Sequence, residues 1–203
     1  MFYPLMINIQ NKLVIVVGGG KVALRKVEKV LEFQGMVRVV SPEYIDNFKD
    51  LKNRFSERLE IIDDKYKDDY IKDAFLVIGA TSNKDVNENI RKYCKENSIL
   101  CNIVDNIAIS DFIVPSSIKR GSLVIAVSTI GKSPTLASKI KKELEKVYSH
   151  EYEEYIDLLG EARDLILKNY DDEAEKRKIL KQIIDMPIQK LKRFIDDERR
   201  KGE

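Results

Sequence analysis

The run Leu13-Val14-Ile15-Val16-Val17 is apolar without a polar break and mostly β-branched, the pattern of a parallel strand covered on both faces. After Gly18-Gly19-Gly20 the spacing changes. Val22, Val27, Val30 and Leu31 recur at roughly helical intervals, so a helix follows and stops at Gly35. Val37–Ser41 reads as a second strand ending at Pro42-Glu43, which completes a β-α-β unit. A charged connector leads to Leu59-Glu60-Ile61-Ile62. Phe75–Ala80 is then a buried strand that delivers Thr81-Ser82-Asn83, and a helix over Lys84–Glu96 turns Val86, Ile90 and Tyr93 or Cys94 inward. Leu100–Val104 is a further strand and runs into Asp105.

From residue 112 the alternation of strand and helix ends. Phe112–Pro115 and Leu123–Ser128 are expected to form a hairpin around the polar turn Lys119-Arg120-Gly121-Ser122. Ser133 N-caps a helix with Pro134 at its first position and with Leu136, Ile140, Leu144 and Val147 inward. Tyr152, Tyr155, Ile156, Leu159 and Ile166 mark an amphipathic helix, Ile179, Leu180, Ile183 and Ile184 a second, and Pro187 begins a third. The expected fold is α/β: a Rossmann-type doubly wound parallel sheet over residues 1–112, a small hairpin and helix segment over 113–147, and a helical C-terminal domain over 148–203.

Gly18-x-Gly20-x-x-Ala23 lies where the first strand gives way to the first helix, the place of the dinucleotide-binding fingerprint. Gly18 permits the tight turn, Gly20 lets backbone approach a pyrophosphate, and Ala23 allows helix and strand to pack closely. The helix amino end then faces the phosphates. Gly18, Ser41, Thr81 and Asp105 all fall at strand carboxyl ends, where ligands of such sheets bind. Glu43 lies 23 positions beyond Gly20, near where an acidic side chain bonds the ribose 2′-hydroxyl, and this favours NAD over NADP.

Composition narrows the chemistry further. The 203 residues are 43% hydrophobic and 34% charged, yet the net charge is only +2, so composition gives no case for a nucleic-acid or membrane partner and any basic site must be local. No apolar run reaches the roughly 20 residues of a membrane span and the amino end lacks a signal-peptide pattern, which points to the cytoplasm. The single histidine, His150, leaves no histidine cluster for a metal and no base for a serine triad. Cys94 and Cys101 fit reduced core residues rather than a disulfide framework or a C-x-x-C site. No resident metal site is expected.

In order, the motifs are Pro4-Leu5-Met6-Ile7, Val17-Gly18-Gly19-Gly20-Lys21-Val22-Ala23-Leu24-Arg25-Lys26, Ala80-Thr81-Ser82-Asn83, Cys101-Asn102-Ile103-Val104-Asp105, Phe112-Ile113-Val114-Pro115-Ser116, and Ala126-Val127-Ser128-Thr129 followed by Gly131-Lys132-Ser133-Pro134. In this series the chain resembles the precorrin-2 dehydrogenases, found alone or as the first module of sirohaem synthases. The resemblance implies oxidation of precorrin-2 to sirohydrochlorin by NAD, with a hydride passing to the nicotinamide and a proton leaving the macrocycle. Some members of that family also insert ferrous iron, giving sirohaem. It implies a homodimer joined through the central segment, and it leaves open whether the product feeds sirohaem or cobalamin.

Asp105 matches the family aspartate implicated in oxidation and metal insertion. A carboxylate there could accept the departing proton, whereas its ordinary alternative is a strand-end loop cap. The resemblance makes Lys21-Val22 and Pro42-Glu43 cofactor contacts, with Gly18, Gly19, Gly20, Ser41 and Thr81 around them. Because the substrate carries carboxylates around its ring, Arg25, Lys119, Arg120, Lys132, Lys139 and Lys142 are candidate partners for it. Asn102 and Ser128 are candidate polar contacts, and Ser133 reads as a helix cap rather than a reactant. The competing function is a non-catalytic NAD(H)-sensing regulatory module. Such a module shares the glycine turn but needs neither Asp105 nor the Gly131-Lys132-Ser133-Pro134 helix start.

Overall fold

A computed structural model describes residues 1–104 and 106–201. The chain forms two compact units, Met1–Val114 and Pro115–Glu203.

In the first unit, β1 (Leu13–Val17), β2 (Met36–Ser41), β3 (Leu59–Asp63), β4 (Leu76–Gly79) and β5 (Leu100–Ile103) form one parallel sheet in the order β3-β2-β1-β4-β5. The chain therefore winds outward from β1 in one direction and then from β4 in the other. The crevice of a doubly wound sheet opens between the carboxyl ends of those two strands. Alternation along β1 explains its unbroken apolar run. Val14 and Val16 pack with α1 (Lys21–Glu32) and α2 (Asn47–Arg54), whereas Ile15 and Val17 pack with α3 (Lys84–Glu96) and Ile71 on the opposite face.

Three local details differ from expectation. The charged connector after Glu43 contains α2, whose only buried side chains, Phe48 and Leu51, form too short an apolar stripe to stand out among Lys and Asp. At the end of α1 the left-handed residue is Gln34 (φ 61°), one position before Gly35, and Gly35 N–H donates to Val30 O at 3.1 Å. Gly35 is needed for space, because a Cβ there would stand 2.6 Å from Val30 Cγ1. Finally, Phe112–Pro115 is not a strand. Phe112 and Val114 pack against the sheet's core, and Pro115 has no N–H to donate to a ladder.

In the second unit the hairpin pairs β6 (Ser116–Arg120) with β7 (Leu123–Val127) around a two-residue turn in which Gly121 has φ +54°. Lys119 and Arg120 thus belong to a strand, not to the turn. In α4 (Pro134–Val147) only Ala137 is buried; Ile140 and Leu144 are half-buried, and Leu136 and Val147 are 48% and 62% exposed. A two-stranded hairpin offers too little surface to cover the whole stripe of that helix. Helices α5 (Glu151–Asn169), α6 (Glu173–Ile183) and α7 (Ile188–Lys201) bury Ala162, Ile166, Ile183, Leu191 and Ile195 together.

One buried charge lies among those helices. Glu198, 1% exposed, accepts hydrogen bonds from Asn169 Nδ2 (3.1 Å), Tyr170 OH (2.9 Å) and Lys201 Nζ (2.6 Å). Burial opposes its charged form, but the bonds from Lys201, Asn169 and Tyr170 outweigh that and hold the carboxyl below its usual range.

Candidate functional site

The three glycines at the end of β1 have three different reasons to be glycine. Gly18 sits at φ +129°, and a Cβ on it would stand 2.5 Å from Ala80 O, at the exit of β4. A Cβ on Gly19 would stand 1.9 Å from Glu43 O, in the loop after β2. Gly20 is the opposite case: it is exposed, and an added Cβ would meet nothing within 4 Å. The first two are demanded by the chain's own packing. The third borders open space, with no atom of the described residues within 4 Å of where its Cβ would lie.

Hydrogen bonds tie the surrounding loops into one frame. Gly18 N–H donates to Val40 O at 2.9 Å, Ile45 N–H to Gly19 O at 3.0 Å, and Ala80 N–H to Val17 O at 2.8 Å. Ser41, buried, donates from Oγ to Glu43 O at 2.8 Å and so shapes the Pro42-Glu43 loop that Gly19 packs against. Tyr44 OH lies 2.5 Å from Ile62 O and 3.2 Å from Val39 O; burial pushes this phenol up to about 12 and keeps it a neutral donor. The carboxylate of Glu43 and the Lys21 side chain remain exposed beside the turn, and Val22 is half-buried.

Gly20 stands in extended backbone (φ −89°, ψ −177°) just before α1, whose start has no side-chain cap and no acidic residue in its first turn. Such an end presents free N–H groups and a partial positive charge, which suits a phosphate group. Together with the gap over Gly20 and the exposed carboxylate of Glu43, these residues fit a dinucleotide: pyrophosphate at the helix start and ribose hydroxyls at Glu43.

Across the crevice, the loop after β4 is held by Asn87 on α3. Asn87 Nδ2 donates to Thr81 O at 3.0 Å and Thr81 Oγ1 donates to Asn87 Oδ1 at 2.9 Å. Sequence reasoning passed over Asn87 as one more polar residue on a helix, since nothing in its spacing shows that it reaches back to a loop six positions earlier. Asn102, 6% exposed, donates from Nδ2 to Phe112 O at 2.9 Å. With Cys101 N–H donating to Asp111 Oδ2 (3.0 Å) and Ile103 N–H to Ser110 Oγ (2.9 Å), it clothes the open edge of β5. The Asn102 amide therefore has a structural task, and Asp105 itself lies outside the described residues.

Arg91 pairs with Asp111 at 2.5 Å, and the hydrogen bond to Asp111 raises its guanidinium above the ordinary value. Cys94 and Cys101 are free and buried against each other's elements; hydrogen bonding to Cys94, then burial, pushes the Cys101 thiol up, so it stays protonated. Arg25 is exposed on α1.

In the second unit, Arg120 gives Nε to Tyr148 O (3.1 Å) and Nη1 to Lys119 O (3.0 Å), which commits part of its guanidinium to the backbone. Lys119 is half-buried, while Lys132, Lys139 and Lys142 are exposed. Ser128 Oγ accepts from Ile130 N–H at 3.0 Å, and Ser133 Oγ caps α4 by accepting from Leu136 N–H at 3.3 Å. Between them, Ile130 (φ 52°) and Gly131 (φ 77°) form the centre of a turn closed by Lys132 N–H donating to Thr129 O at 3.1 Å. Asn or Gly normally fills the place Ile130 holds. No group of His, Cys, Asp and Glu suited to a metal ion occurs among the described residues, and no helix among them is long and apolar enough to cross a membrane.

Comparison with known proteins agrees with this geometry. Residues 5–116 match the family described as "Putative NAD(P)-binding", and residues 120–146 match "Sirohaem biosynthesis protein central". The precorrin-2 dehydrogenase of Methanosarcina barkeri is 33% identical over 189 residues, covering 91% of this chain and 83% of that protein. The siroheme synthase of Vesicomyosocius okutanii is 30% identical over 182 residues, 90% of this chain but 39% of the synthase. The chain thus spans about two fifths of the siroheme synthases it matches. The solved structure of SirC, a precorrin-2 dehydrogenase, superposes with a TM-score of 0.83 at 27% identity, covering 98% of this chain and all of that one. With a glycine turn open at Gly20, a parallel sheet that winds both ways from it and similarity along nearly its whole length, the chain belongs to the precorrin-2 dehydrogenase family.

Proposed function

We propose that this chain oxidises precorrin-2 to sirohydrochlorin with NAD as the acceptor, in sirohaem biosynthesis and in the cytoplasm. The observation that carries this is the space over Gly20 beside an uncapped helix start, in a chain of this family. NAD, when bound, takes up a hydride from the macrocycle. The backbone N–H groups at Lys21-Val22 hold its pyrophosphate and Glu43 its ribose, with Pro42 and Thr81 lining the crevice. Asp105 accepts the proton that leaves the ring; the hydride carries off the two electrons removed, and the proton leaves its bonding pair in the macrocycle as the new double bond, so that two hydrogens are lost in all. Arg25, Lys119 and Lys132 pair with the substrate's carboxylates, and Arg120 contributes what its backbone bonds leave free. Ser128 and Asn102 serve mainly to hold their own loops.

The reading extends to ferrous iron as a second substrate, taken by the ring nitrogens of the product while Asp105 takes the two displaced protons one at a time and passes each to solvent. It also extends to a homodimer in which residues 113–147 pair with a second copy. Ile130, Leu136 and Val147, 45%, 48% and 62% exposed, support that pairing, because a hairpin this small leaves its helix half-covered.

The test is NADH formation from freshly generated precorrin-2, followed by the same assay on Asp105→Asn. That variant keeps shape and removes basicity, so turnover is expected to fall by roughly 100-fold with NAD affinity unchanged. No NADH from the unaltered protein refutes the activity, and undiminished turnover in the variant removes Asp105 from the mechanism. Sirohaem formation from supplied sirohydrochlorin and ferrous iron decides the iron-inserting step.

A further inference from the structure

We propose that Asn87 is a positioning residue for the cofactor, acting through Thr81; this rests on the NAD-linked reading above. The loop Thr81-Ser82-Asn83 leaves β4 at the point where the sheet's winding reverses. It touches the glycine turn through Ala80 O, the atom a Cβ on Gly18 would strike at 2.5 Å. Whatever fixes Thr81 therefore fixes one wall of the crevice.

Asn87 fixes it twice. Its amide Nδ2 donates to Thr81 O at 3.0 Å, and its Oδ1 lies 2.9 Å from Thr81 Oγ1, a hydroxyl that also lies 3.0 Å from Asn83 O and accepts from Asn83 N–H at 3.2 Å; both ends of one planar group thus meet one residue, beside the bonds the loop makes to itself.

The start of α3 does not need the Asn87 side chain. Asn83 Oδ1 already caps it by accepting from Val86 N–H at 3.2 Å, and Asn87 N–H donates to Asn83 O at 3.1 Å as ordinary helix. The side chain is spent on the loop, and the loop faces the crevice. Half-buried rather than sealed in the core, Asn87 loses little packing when changed.

Asn87→Asp tests this with minimal change of shape, because it keeps the acceptor for Thr81 Oγ1 but sets an oxygen against the Thr81 carbonyl. Thr81→Val is the second variant, removing the hydroxyl while keeping volume. Calorimetric titration with NAD is expected to show Kd raised about tenfold in Asn87→Asp, and the KM for NAD raised alongside, with the KM for precorrin-2 and the thermal midpoint little changed. Combining the two variants is expected to give less than the product of their separate effects, the mark of one shared interaction. Wild-type NAD affinity in both variants overturns the proposal while leaving the dehydrogenase reading intact. So does a fall in thermal midpoint with both KM values moving together, which is a structural role only. Failure of the unaltered protein to bind NAD overturns the proposal and the reading on which it rests.

Discussion

Substituting each of the three glycines by alanine in turn separates what the fold needs from what the cofactor needs. At Gly20 the backbone is extended, a conformation alanine adopts freely, and an added Cβ meets nothing within 4 Å. Reduced freedom of the unfolded chain stabilises the alanine form by about 0.4–1 kcal/mol. Alanine is also the poorer residue at a helix start, by a roughly similar amount. These offset, so Gly20→Ala is expected to unfold within about 3 °C of the parent protein. Its methyl, however, falls in the space proposed above for the pyrophosphate, and NAD affinity is expected to fall at least tenfold, or about 1.4 kcal/mol.

Gly18→Ala reverses the pattern. It places a side chain at φ +129° and a Cβ 2.5 Å from Ala80 O. Backbone strain costs about 1–3 kcal/mol and the overlap a further 1–3 kcal/mol. The Cβ of Gly19→Ala would fall 1.9 Å from Glu43 O, a backbone atom pinned by Ser41, so that variant must move a whole loop. Thermal melts in parallel with NAD titrations provide both readings. A Gly20→Ala protein that binds NAD as tightly as the parent refutes the assignment of that space to the cofactor, and one that unfolds like Gly18→Ala refutes the claim that the space is empty of the chain's own atoms.

Glu198→Ala leaves Tyr170 OH without its acceptor and Asn169 Nδ2 with only the backbone oxygen of residue 198, which it already reaches at 2.7 Å, and is expected to cost about 1–3 kcal/mol, read as earlier urea unfolding of the helical unit. Because the folded carboxyl is held below its usual range, its contribution is full above the unfolded value near pH 4.3 and is lost as pH falls through the lower folded value; acid titration of the variant should lack that part of the stability loss. Ile130→Asn, which puts a residue suited to positive φ at the turn before α4, is expected to raise the thermal midpoint by a few degrees, about 1 kcal/mol, and an unchanged midpoint would show that the turn carries no strain. Leu136→Asp places a charge on the half-covered face of α4 and is expected to convert a dimer to a monomer in sedimentation; a parent protein that is monomeric at every concentration ends that reading. NAD should bind more tightly than NADP, since Ser41-Pro42-Glu43 offers a carboxylate and no arginine to a 2′-phosphate, and the reverse order in calorimetry would exclude Glu43 as the ribose contact.

The sheet was legible in the chain because its signals are local. An unbroken β-branched run such as Leu13–Val17 has one economical use, a strand buried on both faces, and the glycines after it mark the turn whatever else the chain does. The helix at Lys84–Glu96 and the Ser133-Pro134 helix start were equally plain, since periodicity and capping depend on neighbours a turn away. Where packing between distant segments decides, the sequence was silent or misleading. Phe112 and Val114 look like half of a hairpin, yet the core of the sheet takes them and the ladder starts at Ser116. Leu136 and Val147 complete a helical stripe that has too little hairpin to cover it. Glu198 reads as one more surface charge until Asn169, Tyr170 and Lys201 close around it. The site divides the same way: the pattern of glycines pointed to a dinucleotide, but only the approach of Ala80 and Glu43 shows that Gly18 and Gly19 serve the fold, which leaves Gly20 as the glycine the fold does not demand and the one proposed for the ligand. Identity along a chain records what each residue is, whereas burial and contact depend on which remote atoms reach it, and those are set when the sheet and its loops assemble.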